Sequence, residues 1–213
     1  MKFITSQLLK VFVLMTSSLI SAGCLFGQES EPVQTLFNKD TQLGYSWSPS
    51  LKFNSIQGDI GSLIELNGGI LLNNSAMIGL AGGVNFGHPS VNYGYFGMIA
   101  QYIFKPNKLL HFSGQTILAY GTTKDYEQEK SSLFDNFWNI SGTSYYLIEP
   151  GINMEINLKE SLRFVTGLSY RFVTGLDENS NYVSLTNVTN QDISGVNIKV
   201  GLIFSGGKKT RQP

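Results

Sequence analysis

Residues 145–175 read YYLIEPGINMEINLKESLRFVTGLSYRFVTG, two alternating runs joined by a short polar turn. In the first run Tyr146, Ile148, Pro150, Ile152, Met154, Ile156 and Leu158 share one side. Tyr145, Leu147, Glu149, Gly151, Asn153, Glu155 and Asn157 share the other. The second run sets Leu162, Phe164, Thr166, Leu168, Tyr170 and Phe172 against Arg163, Val165, Gly167, Ser169 and Arg171. Side chains alternate across a strand but recur every 3.6 residues on a helix, so a period of two held this long specifies a β-hairpin. Soluble strands usually run about 5–6 residues, whereas a tilted membrane-spanning strand needs roughly 9–11. The length of both runs points to the second case.

The same pattern recurs through the chain and gives eight strands: 43–54, 62–72, 77–86, 93–104, 109–122, the two of the opening hairpin, and 196–204. Leu43, Tyr45, Trp47, Pro49, Leu51 and Phe53 oppose Ser46, Ser48, Ser50, Lys52 and Asn54 in the first; Val196, Ile198, Val200, Leu202 and Phe204 oppose Asn197, Lys199 and Gly201 in the last. Gln57-Gly58-Asp59, Asn73-Asn74-Ser75, Lys105 to Lys108 and Lys159-Glu160-Ser161 read as short turns, and His88-Pro89-Ser90 as a break. The connections at 123–143 and 176–194 are long and polar. Short and long connections alternate, apart from a short first one, as in an up-and-down barrel with short periplasmic turns and longer external loops. The fold class expected is therefore all-β, an eight-stranded antiparallel up-and-down transmembrane β-barrel.

Alternation alone does not say which face points inward. A lipocalin-like barrel would turn its apolar face in around a ligand and its polar face to water. A water-facing side carries many Lys and Glu, but here it is mostly Gly, Ser, Asn and Ala. Small residues suit the narrow lumen of an eight-stranded barrel, which side chains fill. Only 14 % of residues are charged, against about 25 % in soluble domains. Aromatics end the apolar face, with Tyr45, Trp47, Tyr102, Phe104, Phe112 and Phe204 at one rim and Phe53, Phe86, Tyr120, Tyr146 and Phe172 at the other. These are the girdles of a membrane barrel.

With the apolar face in lipid, Lys52, Glu65, Glu149, Glu155, Arg163, Arg171 and Lys199 point into the lumen. Buried charges must be matched, so these seven form the expected site, a lumen charge network. A three-residue turn at 159–161 would set Glu149 opposite Arg171, and a two-residue Gly58-Asp59 turn would set Lys52 opposite Glu65. The network reads first as a plug that fixes register; a gate for protons or small ions is the alternative.

Lys2 and Lys10 flank a basic start, and Val11 to Ile20 is apolar and too short to span a membrane as a helix. Residues 1–27 thus read as a signal peptide cut near Gly23 or Gly27, 28–40 as a linker, 41–205 as the barrel and 206–213 as a basic tail. The single Cys24 follows Ser21-Ala22-Gly23, which partly resembles a lipobox; the other reading is an inert thiol at an ordinary leader's end. The formal charge is zero, so no nucleic acid is expected as a partner.

Lys199-Val200-Gly201-Leu202-Ile203-Phe204 resembles the last-strand signal by which outer-membrane barrels are recognised by the assembly machinery, followed here by further residues. The stretch IEPGINMEINLKESLRFVTGLSYRFVTGLD, with SGVNIKVGLIF, resembles a family of small eight-stranded barrels from Bacteroidetes-type bacteria, of OmpA/OmpX-like architecture. That resemblance implies fold and outer-membrane location only. The partners it leaves are outer-membrane lipid and an unknown ligand of the long loops.

An enzyme is not expected, nor is any cofactor or metal. His111-Phe112-Ser113 resembles the His-x-Ser pair of lipid A deacylases, but Gly114 stands where that family has Asn, and a short turn precedes His111. His88, alone beside Pro89, makes no metal site. The function expected is a non-enzymatic barrel, structural or binding through its loops. A minor channel, a lipid A-modifying enzyme and a soluble binding barrel follow in that order.

Overall fold

The computed structural model describes residues 41–56, 59–86, 91–125, 143–176 and 189–207. The expected signal peptide, the linker to residue 40, Cys24, His88, Gln57-Gly58 and most of both long loops lie outside them. Eight strands follow in order: β1 Leu43–Ile56, β2 Asp59–Leu72, β3 Ala76–Phe86, β4 Val91–Phe104, β5 Leu110–Asp125, β6 Thr143–Lys159, β7 Leu162–Thr174 and β8 Gly195–Gly207. Each pairs antiparallel with the next and β8 pairs back onto β1, which closes the barrel. The strands run longer than the alternation suggested, because pairing continues past the last lipid-length residues. β8 extends through Ser205 to Gly207, where the barrel was expected to stop at 205.

Alternation becomes two surfaces. Tyr45, Ile70, Met98, Phe112 and Ile152 are each more than half exposed, whereas Lys52, Leu63, Glu65, Ile117, Tyr145, Glu149 and Arg171 are fully buried. An apolar exterior on this scale is unfavourable in water and natural in hydrocarbon. Girdle side chains pair within it. Trp47 stacks on Phe204 with ring centroids 4.4 Å apart, and Tyr120 meets Tyr146 edge-on at 5.5 Å.

The interior has two unlike walls. Inward residues of β3 and β4 are largely apolar (Met77, Ala81, Ile99, Ile103), whereas β1 and β5 to β8 supply most of the buried polar groups. Residues 189–194, expected as loop, contain a short helix, α1 (Asn190–Ile193). Its N-terminus is closed by Thr189 and Asp192: the Thr189 amide donates to Asp192 Oδ2 at 2.7 Å, the reciprocal arm of a capping box. Asn190 Oδ1 accepts from the Leu176 amide and Ser194 Oγ from the Val173 amide, so α1 is tied to the end of β7. Ile193 and Leu176 then join Tyr145, Leu147 and Val173 in one buried apolar cluster.

Local chemistry fixes the turns. Asn73 and Asn74 take φ of 50° and 56°, a region Asn tolerates better than most residues, and Leu72 pairs with Ala76 across that three-residue turn. Two prolines interrupt the ladder. The β1–β8 register passes from Trp47↔Phe204 to Ser50↔Gly201, skipping Ser48 and Pro49. On the other side of the hairpin β6–β7 passes from Ile148↔Phe172 to Gly151↔Ser169, skipping Glu149 and Pro150. Proline has no N–H to give, so each interrupts one seam.

Gly69 and Gly79 pair on the inner face, and a Cβ on Gly79 would run into the backbone of Gly68 and Gly69. Gly114 faces out, and a Cβ there meets nothing within 4 Å. On a detergent gel the unheated protein should migrate faster than the boiled one. Gly79→Val should remove the fast band and Gly114→Ala should keep it; a fast band in both would show that the close approach of β2 and β3 is dispensable.

Candidate functional site: a charge network inside the barrel

The structure places all seven ionisable residues on inward positions, none more than 6 % exposed. They form two groups. In the first, Glu149 of β6 stands between two cations. Lys52 Nζ of β1 lies 2.5 Å from Glu149 Oε1, and Arg171 Nε of β7 lies 2.8 Å from Oε2. Ser169 Oγ adds a hydrogen bond of 2.7 Å to Oε1. Lys52 Nζ also reaches Glu65 Oε2 of β2 at 2.5 Å. Tyr95 donates its hydroxyl to the same oxygen, and Asn67 Nδ2 donates to Oε1.

Two tyrosines of β4 complete this group. The Arg171 guanidinium lies 5.4 Å and 5.2 Å from the ring centroids of Tyr93 and Tyr95. Arg171 Nη1 and Asn54 Nδ2 both donate to the Tyr93 hydroxyl. In a low dielectric each carboxylate needs this many donors, because an unpaired buried charge costs several kcal/mol or more. Glycine makes the room: a Cβ on Gly83 would meet the Tyr95 ring at 2.8 Å, and one on Gly121 would strike the ring of Tyr145.

The second group centres on Glu155. Arg163 Nη1 donates to Oε2 at 2.7 Å, and His111 Nε2 lies 3.3 Å from the same oxygen. Ser113 Oγ and Gln101 Nε2 donate to Oε1 at 2.5 Å and 2.9 Å. His111 Nδ1 donates to the Lys108 carbonyl at 3.0 Å, so both ring nitrogens are committed. The carboxylate sits between hydroxyl and imidazole, and no hydrogen bond links Ser113 to His111 among the described residues. Lys199 stands beside Lys52 in the β1–β8 register and donates to Gln115 Oε1 at 2.8 Å; no carboxylate lies within ion-pair distance of it among the described residues. Asn153 Nδ2 donates to both Gln115 and Ser113, which joins Lys199 to the Glu155 group.

Of the two facing pairs expected from turn lengths, Glu149–Arg171 forms, but by another route. Lys159 pairs with Leu162 across a two-residue turn, and a register shift between Asn157 and Lys159 restores the alignment that a three-residue turn would have given. The Lys52–Glu65 alignment needs correction. Ile56 pairs with Asp59, so the connection is residues 57–58 rather than 58–59 and the register moves by two. Lys52 stands opposite Leu63 and Glu65 opposite Ser50; the ion pair is made along the diagonal. Tyr93, Tyr95, Ser169 and Gln115 were not singled out in the sequence. Their signal is inward parity combined with a polar tip on an otherwise glycine-rich or apolar face.

Ser48 Oγ, Ser50 Oγ and Asn197 Oδ1 are buried on neighbouring β1 and β8 with no protein partner, which suits ordered water along that wall. A separate depression of about 840 Å3 lies on the outer face, where Ala100, Gly114, Thr116 and Pro150 are small between Tyr102, Ile152 and Tyr170. It is relief in the lipid-facing surface, not part of the lumen.

The N-terminal β-barrel domain of Pseudomonas aeruginosa OprF superposes with a TM-score of 0.54 at 13% identity, covering 78% of this chain and all (100%) of that domain. The chain has the fold of an outer-membrane β-barrel. Similarity extends at lower scores to Pseudomonas aeruginosa OprG (TM-score 0.49, 10% identity, 78% of this chain and 97% of that one) and to Neisserial surface protein A (0.47, 9%, 76% and 95%). No family model and no curated protein matches the sequence. Fold and apolar exterior together make this a membrane-spanning barrel of the outer-membrane type.

Glu149→Ala would leave Arg171 without its carboxylate and should cost about 3–5 kcal/mol, read as a lower urea midpoint for barrel reconstituted in vesicles. Glu65→Gln keeps acceptors for Tyr95 and Asn67 while Lys52 keeps Glu149, so its loss should be clearly smaller. Equal losses would contradict the central place given to Glu149.

Proposed function

We propose that this protein is an outer-membrane barrel whose lumen is a structural plug, with its specific role carried by the segments around 123–143 and 176–194. One observation carries the reading: Lys52, Glu149 and Arg171, from three different strands, meet in the lumen with no exposed side-chain surface. The Lys52–Glu149 pair crosses the lumen from β1 to β6, and Arg171 of the neighbouring β7 braces the same carboxylate. Above them Tyr145, Leu176 and Ile193 add an apolar layer, which supports closure at the α1 end. We also propose membership of the small-barrel family of Bacteroidetes-type bacteria, with insertion by the assembly machinery through β8. The sequence patterns at 148–177 and 199–204 support both points.

The second charge group speaks against the His-x-Ser pair. Its base must reach the hydroxyl it activates, yet the ring of His111 is held by Glu155 and Lys108 and not by Ser113. A minor channel is the second reading, and the unpartnered Ser48 Oγ, Ser50 Oγ and Asn197 Oδ1 along one wall favour it, since water there would shorten a path through the lumen.

Planar-bilayer recording separates the two. The plug predicts no regular conductance steps from the intact protein, and steps appearing only when Glu149 and Arg171 are both replaced by Ala. Uniform steps from the intact protein would establish the channel in its place.

A further inference from the structure

The end of the barrel where β1 begins and β8 ends is not filled as the α1 end is. A recess of about 650 Å3 opens there, bounded by Asn74 of the β2–β3 turn, Asn107 of the β4–β5 connection, Asn157 of β6 and Ser161 of the β6–β7 turn. Lys159 and Glu160 stand at its edge with opposite charges, and the group richest in donors, already paired with Glu155, is Arg163. That residue is only 6 % exposed and lines the recess from within the barrel.

Arg163 is under-used. A guanidinium offers five N–H donors in a planar fork. Nη1 donates to Glu155, and Nε is buried with no partner. Glu155 has no capacity to spare, since Ser113, Gln101 and His111 also hold it. The Asn157 amide donates to the carbonyls of Pro106 and Lys108 at 2.9 Å and 2.8 Å. Those two bonds also pin the β4–β5 connection over the barrel end, so the recess is formed before anything enters it. Arg163 therefore brings to a preformed polar cavity more donors than its one bond to Glu155 takes up.

We propose that this recess binds a small soluble anion bearing carboxylate or phosphate oxygens, seated on Arg163 and completed by Asn74, Asn107 and Ser161. Bidentate recognition of planar or tetrahedral oxyanions is what the guanidinium fork does best. The proposal concerns the opposite end from α1 and does not depend on whether the lumen above conducts. A soluble anion is favoured over a lipid headgroup because the lining comes from the inner side of the barrel wall and its turns.

The test uses the full chain in detergent that contains no phosphorus. Inorganic phosphate and, separately, acetate are titrated at ionic strength held constant with chloride, and backbone amide signals are followed by NMR. Saturable shifts at Asn74, Asn107, Ser161 and Arg163 are expected, with the stronger of the two probes identifying the oxyanion class. Arg163→Lys keeps the charge but loses the fork and should weaken binding about tenfold. Because Arg163 also holds Glu155, Asn107→Ala provides a test that leaves the ion pair intact, and it should weaken binding about threefold. Shifts that never saturate, equal shifts with chloride alone, or unchanged affinity in both variants would overturn the proposal. So would binding seen only after phospholipid is added, which would mark headgroup adsorption at the outer rim.

Discussion

A carboxylate clamped between an ammonium and a guanidinium, out of reach of water, sets the terms for the rest of this barrel. Glu149 can remain charged inside only while Lys52 and Arg171 both reach it, and those cations come from strands on either side of the closure seam. The cylinder must therefore be narrow and complete. Register is constrained by the same contact: a slip of one residue would turn the charged groups into lipid, and a slip of two would separate them. Glycine belongs to this account as well. Large inward side chains such as Tyr95 and Tyr145 lie over Gly83 and Gly121, so small residues appear where a large neighbour needs the space.

The fold was legible because it depends on a property the sequence displays directly. Parity along each strand separates lipid from lumen, and the structure assigns the two faces of the 145–175 hairpin as the alternation does. What depended on turn geometry was harder. Residues 57–59 contain both Gly and Asp and admit two closures one residue apart, and each residue moved in a hairpin loop shifts the pairing sum by two. The Lys52–Glu65 contact tolerates that error only because a lysine side chain spans a diagonal. At 159–161 a bulge at Leu158 offsets a shorter turn, which no residue type in that stretch announces. The small helix at Asn190–Ile193 was hidden for a related reason. Thr189, Asn190, Asp192 and Ser194 read as loop by composition, and their capping geometry emerges only against the end of β7.

Within the charge network, which residues are ionisable and inward was written in the sequence, and so were the neighbouring-strand pairs Glu149–Arg171 and Lys52–Glu65, whereas the pair across the lumen was not. That one contact joins β1 to β6, which are not neighbours, and parity carries no information about who faces whom at that distance. Lys52 and Glu149 are 97 positions apart and meet; Lys52 and Lys199 are adjacent in register yet turn to different acceptors. The two barrel ends differ in a way that also escapes parity. One gathers Tyr145, Leu176 and Ile193, and the other gathers amides and hydroxyls around Arg163, although the strands leading to them share one alternating pattern.

The prolines at 49 and 150 give the cylinder a mechanical anisotropy. Each removes a rung from one seam, and the two seams are those on either flank of the β7–β8 hairpin. Bending the wall costs least where cross-strand bonds are fewest, so elastic deformation under membrane tension or curvature concentrates along these two lines. Between them β7 and β8 stay uninterrupted from Leu162↔Phe204 to Arg171↔Gly195 and behave as a stiff stave. That stave carries Arg163, Arg171 and Lys199, three of the interior cations, so any flexing of the wall moves these charges together relative to the carboxylates of β2 and β6.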